Sequence, residues 1–482
     1  MLARLRWALV LAVAVVGAVS VHAAELGALA LRLASTLQSP VSPEVPAVPS
    51  PSATSFNPAL PDFSSASRAG CPPLAAERRL ALTLLDVVAQ VLCQSPGFTQ
   101  ALLLVDEQQA GVDLARAAFR PSFSANAELA SNRIPSSNSG SPSLSASGTG
   151  SLGMSWVLLD AGARAATLEQ SRQLFSAARA GQQTAVLNAA NEALRLYVEA
   201  ATAASRLEST QQTESVARQS LQVAQGRYDA QVAPLAEKLQ ASTALAQATL
   251  ERVRADGAWS TSRGLLALAM GLSVQDVLGL APLDAAFPAS TALMADAAVE
   301  EHPRLRGARA AVLALKSRLD AVRAEGKGSV SLAIGAGSTR DLATSGGRFE
   351  HSVSGSVLAS IPLFNRTEQQ ARESQVQAQV ASSESALEQV RRDVEADLWR
   401  NARLLDTESQ NLVAADALLQ TAGQSFQITL GRYKAGVGSM LELLATQAAL
   451  ANARAQQTQA RLGLEQARLR LHVASGRMLL QK

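Results

Sequence analysis

Few side chains in this sequence are of a type and spacing that could do chemistry. Cys71 and Cys93 are its only cysteines, so their chemistry is one disulfide or two free thiols. In an oxidising compartment a single disulfide would tie the segment around Cys71 to the helix around Cys93. His302, His351 and His472 stand apart from one another and read as surface residues. The sequence has no GxSxG, no P-loop and no metal-spaced His/Cys set, so neither enzyme chemistry nor a cofactor is implied. What does stand out is a recurrence. Gly226-Arg227-Tyr228 returns as Gly431-Arg432-Tyr433, and the match runs on through Glu237/Glu442, Leu239/Leu444 and Leu245/Leu450. The sequence's recurring segments, rather than any catalytic set, are what its structure must explain.

Those recurring residues belong to a larger duplication. Trp-Val-Leu-Leu-Asp ending at Asp160 and Ile-Pro-Leu-Phe-Asn ending at Asn365 lie at the same offset of about 205 residues. That period is far longer than a solenoid unit, so a whole structural half is duplicated. Aromatics make up only 4% of the 482 residues, while Ala, Leu, Gln, Arg and Glu fill long stretches. Such composition fits long helices packed closely through small side chains. The net charge of +3 and the lack of basic blocks give no support for nucleic-acid binding.

At the N-terminus, Arg4 and Arg6 precede an apolar run from Trp7 to Val21 and the small-residue site Val21-His22-Ala23. This reads as a secretory signal over residues 1–23, the alternative being an uncleaved anchor. Residues 24–73 form a Pro/Ser-rich leader too poor in apolar side chains to pack a core. The first repeat is expected over 74–280 and the second over 281–475, with a tail at 476–482.

Within each repeat the period of hydrophobicity switches from helical to alternating and back. Alternation predicts strands at about 122–130 and 151–159, and again at about 329–337 and 352–361. Each has about the length a tilted transmembrane strand needs, with a Ser/Gly/Asn polar face. Four strands cannot close a barrel alone, because the smallest such barrels have eight. Proline-free helical runs follow each strand pair, from 163 to about 227 and from about 367 to 433. At about 1.5 Å per residue the first would reach roughly 100 Å. The Gly-Arg-Tyr segments are expected to break these helices as hairpin tips, with Gly431 and Gly436 supplying positive φ. Shorter helices then return to about 270 and about 473.

In this order, and in both halves, the pieces resemble the TolC-like outer-membrane factors, the ducts of efflux pumps and type I secretion systems. The corners Leu159-Asp160-Ala161-Gly162 and Pro362-Leu363-Phe364-Asn365 carry the likeness, together with the tips at Gly226 and Gly431. The resemblance implies an α+β membrane protein: a homotrimer with a twelve-stranded barrel in outer-membrane lipid and an α-helical tunnel in the periplasm. It also implies a periplasmic adaptor and an inner-membrane exporter, either an ABC ATPase or a proton-driven pump, as partners. Exported protein or small molecules would be the cargo. Cys71 with the Cys93-x-x-Pro96 spacing resembles the opening of exporters of large toxins, which favours protein secretion. A periplasmic adaptor is the alternative class, although adaptors lack a whole-chain duplication.

Family roles transfer position by position. Glu442 matches the first acidic position of the aperture ring, while Ala445 stands where a second would be. A ring of carboxylates would attract cations; otherwise Glu442 is a solvated helix residue. Tyr433 matches the gating aromatic, but Gly438 stands where the family often has an arginine. Gly226, Arg227, Tyr228, Gly431 and Arg432 become the tip and adaptor-docking surface, and Gly436 a turn residue beside the gate.

Overall fold

The computed structural model describes residues 81–134, 143–276, 278–281, 299–342, 348–362, 364 and 366–476. All of these fall in one compact unit, Leu60–Lys482. The signal, the leader with Cys71, most of the inter-repeat linker, Leu363, Asn365 and the C-terminal tail from 477 lie outside the described residues.

Two helices come first among the described residues. Helix α1 (Leu84–Gln94) starts at Thr83, whose side chain accepts from the Asp86 amide while Asp86 reaches back to the Thr83 amide. Helix α2 (Pro96–Ala117) is capped by Ser95 and carries proline in its first turn. Its counterpart in the second half, α5 (Pro303–Glu325), is built the same way, with His302 as the cap. Proline fits there because a first-turn N–H has no intrahelical partner to lose. No single helix among the described residues is long and apolar enough to cross a membrane.

Four strands make one antiparallel sheet in the order β1-β2-β3-β4. They are β1 (Ser122–Ile134), β2 (Ser143–Leu159), β3 (Ser329–Asp341) and β4 (Phe349–Ser360). β1 and β2 extend well past the alternating stretches read from sequence, into a Ser/Gly/Asn-rich region whose small side chains carry little hydrophobic signal. The two hairpins are joined by the β2–β3 pairing, so the repeats share one sheet. The chain turns tightly from β2 into the helix that follows. After β2, Ala161 and Gly162 adopt positive φ (52° and 94°). Asp160 then pairs with Arg164 at 2.7 Å, and Arg164 also stacks over Phe119. Trp156 donates to the Phe119 carbonyl at 3.0 Å, pinning the end of α2 to the sheet.

Below the sheet run two long hairpins. The first pairs α3 (Ala163–Asp229, 67 residues) with α4 (Leu235–Ala269), the second α6 (Arg366–Lys434, 69 residues) with α7 (Met440–Ala474). At about 1.5 Å per residue α3 and α6 each reach roughly 100 Å. Alanines dominate the buried positions of α3, including Ala193, Ala200, Ala217 and Ala224, and let neighbouring helix backbones approach closely. The hairpins meet where α3 packs on α7, with Ser220 and Gln447 forming a buried 3.3 Å hydrogen bond.

The largest core lies where α1, α3, α4 and α7 converge, around Val87, Leu194, Tyr197, Leu266, Met270 and Leu469. There Leu82 and Leu280 form a parallel bridge that draws the chain ahead of α1 against the end of the first repeat. The Tyr197 hydroxyl lies 2.7 Å from the Ala281 carbonyl and 3.1 Å from that of Leu82. A buried phenol needs such an acceptor.

Two expectations from sequence need correction. Gly226-Arg227-Tyr228 and Gly431-Arg432-Tyr433 do not break their helices; they form the last turns of α3 and α6. A helical glycine costs only about 1 kcal/mol, which a helix of this length absorbs. The reversal falls a few residues later, with positive φ at Gln231 (58°) and Gly436 (80°) but not at Gly226 or Gly431. His302 is not a surface residue either. It is 6% exposed, and its Nδ1 accepts from the Arg304 amide. Burial first, then the Arg304 charge, lowers its pKa, while Asp397 opposes.

Candidate functional site at the helical tips

At the bottom of the unit the α3–α4 and α6–α7 turns lie side by side around a small core. Ala224, Ala241, Phe426, Tyr433, Met440 and Leu443 fill it. Tyr433 is its centre, with 0% of its surface exposed. Three contacts from the first repeat hold it. Its hydroxyl donates to Glu237 Oε2 at 3.0 Å. The Arg227 guanidinium lies over its ring, 4.6 Å from the centroid. Arg227 Nη1 also donates to the Tyr433 carbonyl at 2.7 Å.

Burial, the Glu237 hydrogen bond and the Glu237 charge push the Tyr433 phenol up to about 12, with Arg227 opposing. The neutral, donating form is therefore kept across ordinary pH. Arg227 pays a cost, since its Nε is buried with no acceptor. Such a stranded donor typically costs about 1–3 kcal/mol.

Glu442 faces a different neighbour. Arg432 Nη1 donates to Glu442 Oε1 at 3.0 Å, in a pair whose side chains are 53% and 41% exposed. Ser439 caps α7 by accepting from the Glu442 amide at 3.2 Å. Tyr228, the repeat partner of Tyr433, is on the surface with the Lys238 ammonium 5.1 Å from its ring.

Gly438 sits against the gate residue itself. A Cβ built there would come within 2.9 Å of the Tyr433 amide nitrogen and 3.1 Å of the Arg432 carbonyl carbon. No side chain fits without moving that backbone, so an arginine at this position is incompatible with the tip as folded. The arginine that reaches Tyr433 is Arg227, from the other repeat. Sequence reading placed Arg227 on a docking surface and left Glu237 without a role. Their only signal was kinship by repeat with Arg432 and Glu442.

Of the cysteines, Cys93 is disulfide-bonded in α1, and Cys71 lies outside the described residues. Among the described residues no group of three or more His, Cys, Asp or Glu could hold a metal ion.

Two long helical hairpins hung from one shared four-stranded sheet make an internally duplicated fold. A family model described as outer membrane efflux protein matches residues 87–272 and 294–477, and the chain belongs to that family. Its members are outer-membrane channel proteins rather than enzymes, and this chain is an outer-membrane transport protein with its helical part in the periplasm. Protein CyaE of Bordetella pertussis is 28% identical over 394 residues, covering 80% of this chain and 81% of that one. Among solved structures, CusC superposes with a TM-score of 0.72 at 18% identity, over 85% of this chain and 96% of its own. The outer membrane protein VceC of Vibrio cholerae gives 0.71 at 16% identity, over 82% and 96%. At these identities the two structures support the fold.

Proposed function

We propose that this chain is the passive outer-membrane duct of a tripartite export machine, working as a homotrimer. The observation that carries the reading is the open four-stranded sheet. Its two outer strands, β1 and β4, are each paired on one side only, and one of its faces is apolar. Unpaired strand edges in lipid are unsustainable, so copies must join edge to edge until the sheet closes. Three copies supply twelve strands, enough for a barrel.

The tips then form the periplasmic gate. Tyr433, clamped by Arg227 and Glu237, holds the two hairpins of a protomer together, and Gly436 shapes the turn beside it. Glu442 contributes to a ring around the aperture, its charge partly met by Arg432. Gly226, Tyr228 and Gly431 belong to the outer surface of the tips, where a periplasmic adaptor would dock. Opening releases Tyr433 as the hairpins separate, a two-state change biased by partner contacts. No nucleotide motif occurs in the sequence, so the energy comes from an inner-membrane exporter.

Protein export by a type I system is favoured over small-molecule efflux by the Cys71 and Cys93-x-x-Pro96 opening. A Cys71–Cys93 disulfide would tether the leader to α1; a non-reducing peptide map yielding two separately alkylated thiols would rule it out. The duct itself is tested by single-channel recording of the purified protein in a planar bilayer. A small, steady, cation-favouring conductance is expected, with divalent block from the periplasmic side that Glu442→Ala removes. A folded protein that gives no conductance and stays in the periplasmic fraction would overturn the duct in favour of an adaptor. Unchanged block in Glu442→Ala would move the constriction elsewhere.

A further inference from the structure

The strand register sorts charge as well as hydropathy. The row Phe123, Met154, Ile334, Gly355 belongs to the apolar face, and the adjacent row Ser124, Gly153, Gly335, Ser354 to the polar one. Near the end of the sheet farthest from the long helices, the polar face carries the row Glu128, Thr149, Thr339, Glu350. The next row, Leu129, Gly148, Arg340, Phe349, falls on the apolar face. A guanidinium therefore stands on the lipid-facing side of the sheet while Glu128 and Glu350 belong to the other.

Arg340 is exposed and makes no ion pair among the described residues. Its guanidinium lies 5.0 Å from the centroid of the Phe349 ring. Phe349 in turn stacks with His351, the rings 6.2 Å apart and 7° from parallel. Phe349 is 53% exposed, so the stack is a surface feature with one face open. Its height is telling. From Ala359 to Phe349, at about 3.3 Å per residue and a tilt of about 40°, β4 climbs roughly 25 Å. That is about the height of a barrel's apolar band, so Arg340 and Phe349 reach its outer boundary. Aromatic rings belong at such a boundary. A guanidinium there with no ion pair among the described residues can take an anion from outside the protein, and its planar fork suits phosphate.

We propose that Arg340, Phe349 and His351 form a docking surface for the phosphorylated headgroup of an outer-leaflet lipid. Arg340 takes the phosphate while the stacked rings of Phe349 and His351 support the guanidinium and the adjoining headgroup. The proposal rests on the membrane reading above, since that reading sets which face meets lipid.

The test uses the full-length protein in detergent and follows its thermal unfolding against added lipid. The probes are bisphosphorylated lipid A, the same lipid dephosphorylated, and inorganic phosphate. Expected is a concentration-dependent rise in melting temperature with the bisphosphorylated lipid alone. Arg340→Gln should weaken that response about tenfold, the loss of one charge-assisted pair, and Arg340→Lys should restore part of it. Should Arg340→Gln fail to fold, Phe349→Leu keeps the site apolar and should weaken the response a few-fold. An equal response to dephosphorylated lipid would reduce the surface to apolar adsorption, and an equal response to inorganic phosphate would leave a generic anion site; either overturns the proposal. So would an undiminished response in Arg340→Gln. Conducting channels that bind none of the lipids would sink the docking surface alone, whereas absence of conductance in the earlier recording would sink the membrane reading beneath it.

Discussion

The first and second tips carry an arginine, a tyrosine and a glutamate at matching positions, yet they use them differently. In the second tip the arginine and glutamate close on each other, Arg432 to Glu442, at the surface. In the first, Arg227 and Glu237 both turn to the second tip's tyrosine and bury it between them. Tyr228, the first tip's own tyrosine, is left outside under Lys238. Duplication supplied identical parts, and packing of one hairpin against the other converted one set into a cross-repeat clamp. An exposed ion pair contributes about 0–1 kcal/mol. A fully desolvated ring with a charge-assisted hydrogen bond contributes several times more, so the tips differ in energy far more than in sequence.

The largest effect that comparison demands is on the tyrosines. Tyr433→Ala should cost about 3–5 kcal/mol of stability, as loss of a buried aromatic usually does. It should also raise single-channel conductance as the hairpins part. Tyr228→Ala, at the surface, should stay within about 0.5 kcal/mol and leave conductance alone. Thermal unfolding and bilayer recording of both variants decide it; equal penalties would erase the distinction between the tips.

The arginines come next. Arg227→Gln removes the cation over Tyr433 and its hydrogen bond to the Tyr433 carbonyl, at a cost of about 1–3 kcal/mol. That figure is held down because the stranded Arg227 Nε is removed too. Arg432→Gln should cost no more than about 1 kcal/mol. Denaturant unfolding of the pair reads the difference, and a larger loss for Arg432→Gln would reverse the assignment of clamp and surface.

Much of this architecture is legible in sequence, because period and duplication are local patterns. Alternation over Val353, Val357 and Ala359 marks β4, and the shared offset of Tyr228 and Tyr433 pairs the hairpins. The clamp is not legible, since Arg227 and Tyr433 are separated by a whole repeat and meet only through the packing of α3 on α7. The tip boundary was misread because glycine weakens a helix without ending it. Gly226 and Gly431 are tolerated inside α3 and α6, while reversal depends on the left-handed residues at Gln231 and Gly436. Gly438 read as a missing arginine, and only the three-dimensional contact with the Tyr433 backbone explains it. His302 gave no sign of burial, because a cap and an exposed loop residue look alike in one dimension.

Acidity supplies a gentler probe. Folding raises the Tyr433 phenol to about 12 from an ordinary value near 10, so the folded tip prefers the protonated form. Its contribution is fully present below about pH 10 and is lost as pH climbs through about 12. Conductance should therefore be flat across neutral pH and rise only in that alkaline window, and Tyr433→Phe should remove the titrating step. A rise beginning near neutrality would mean that some other group governs the clamp.

The smallest expected difference lies in the turns. Gln231 and Gly436 occupy the same left-handed position in the two tips, at φ of 58° and 80°. A side chain there costs roughly 1 kcal/mol, so Gln231→Gly should gain up to about that much and Gly436→Ala should lose it, both read by thermal unfolding. A Cβ at Gly436 would meet open space, so its penalty is purely conformational. Conductance separates the two further. The Gly436 amide donates to the Tyr433 carbonyl at 3.0 Å, the oxygen that Arg227 also holds, whereas the Gln231 amide donates to exposed Tyr228 at 2.9 Å. Strain at Gly436 is therefore transmitted to the clamp, and Gly436→Ala should raise conductance slightly. Relief of strain at Gln231 acts on a residue that clamps nothing, so Gln231→Gly should stabilise the protein and leave the current unchanged.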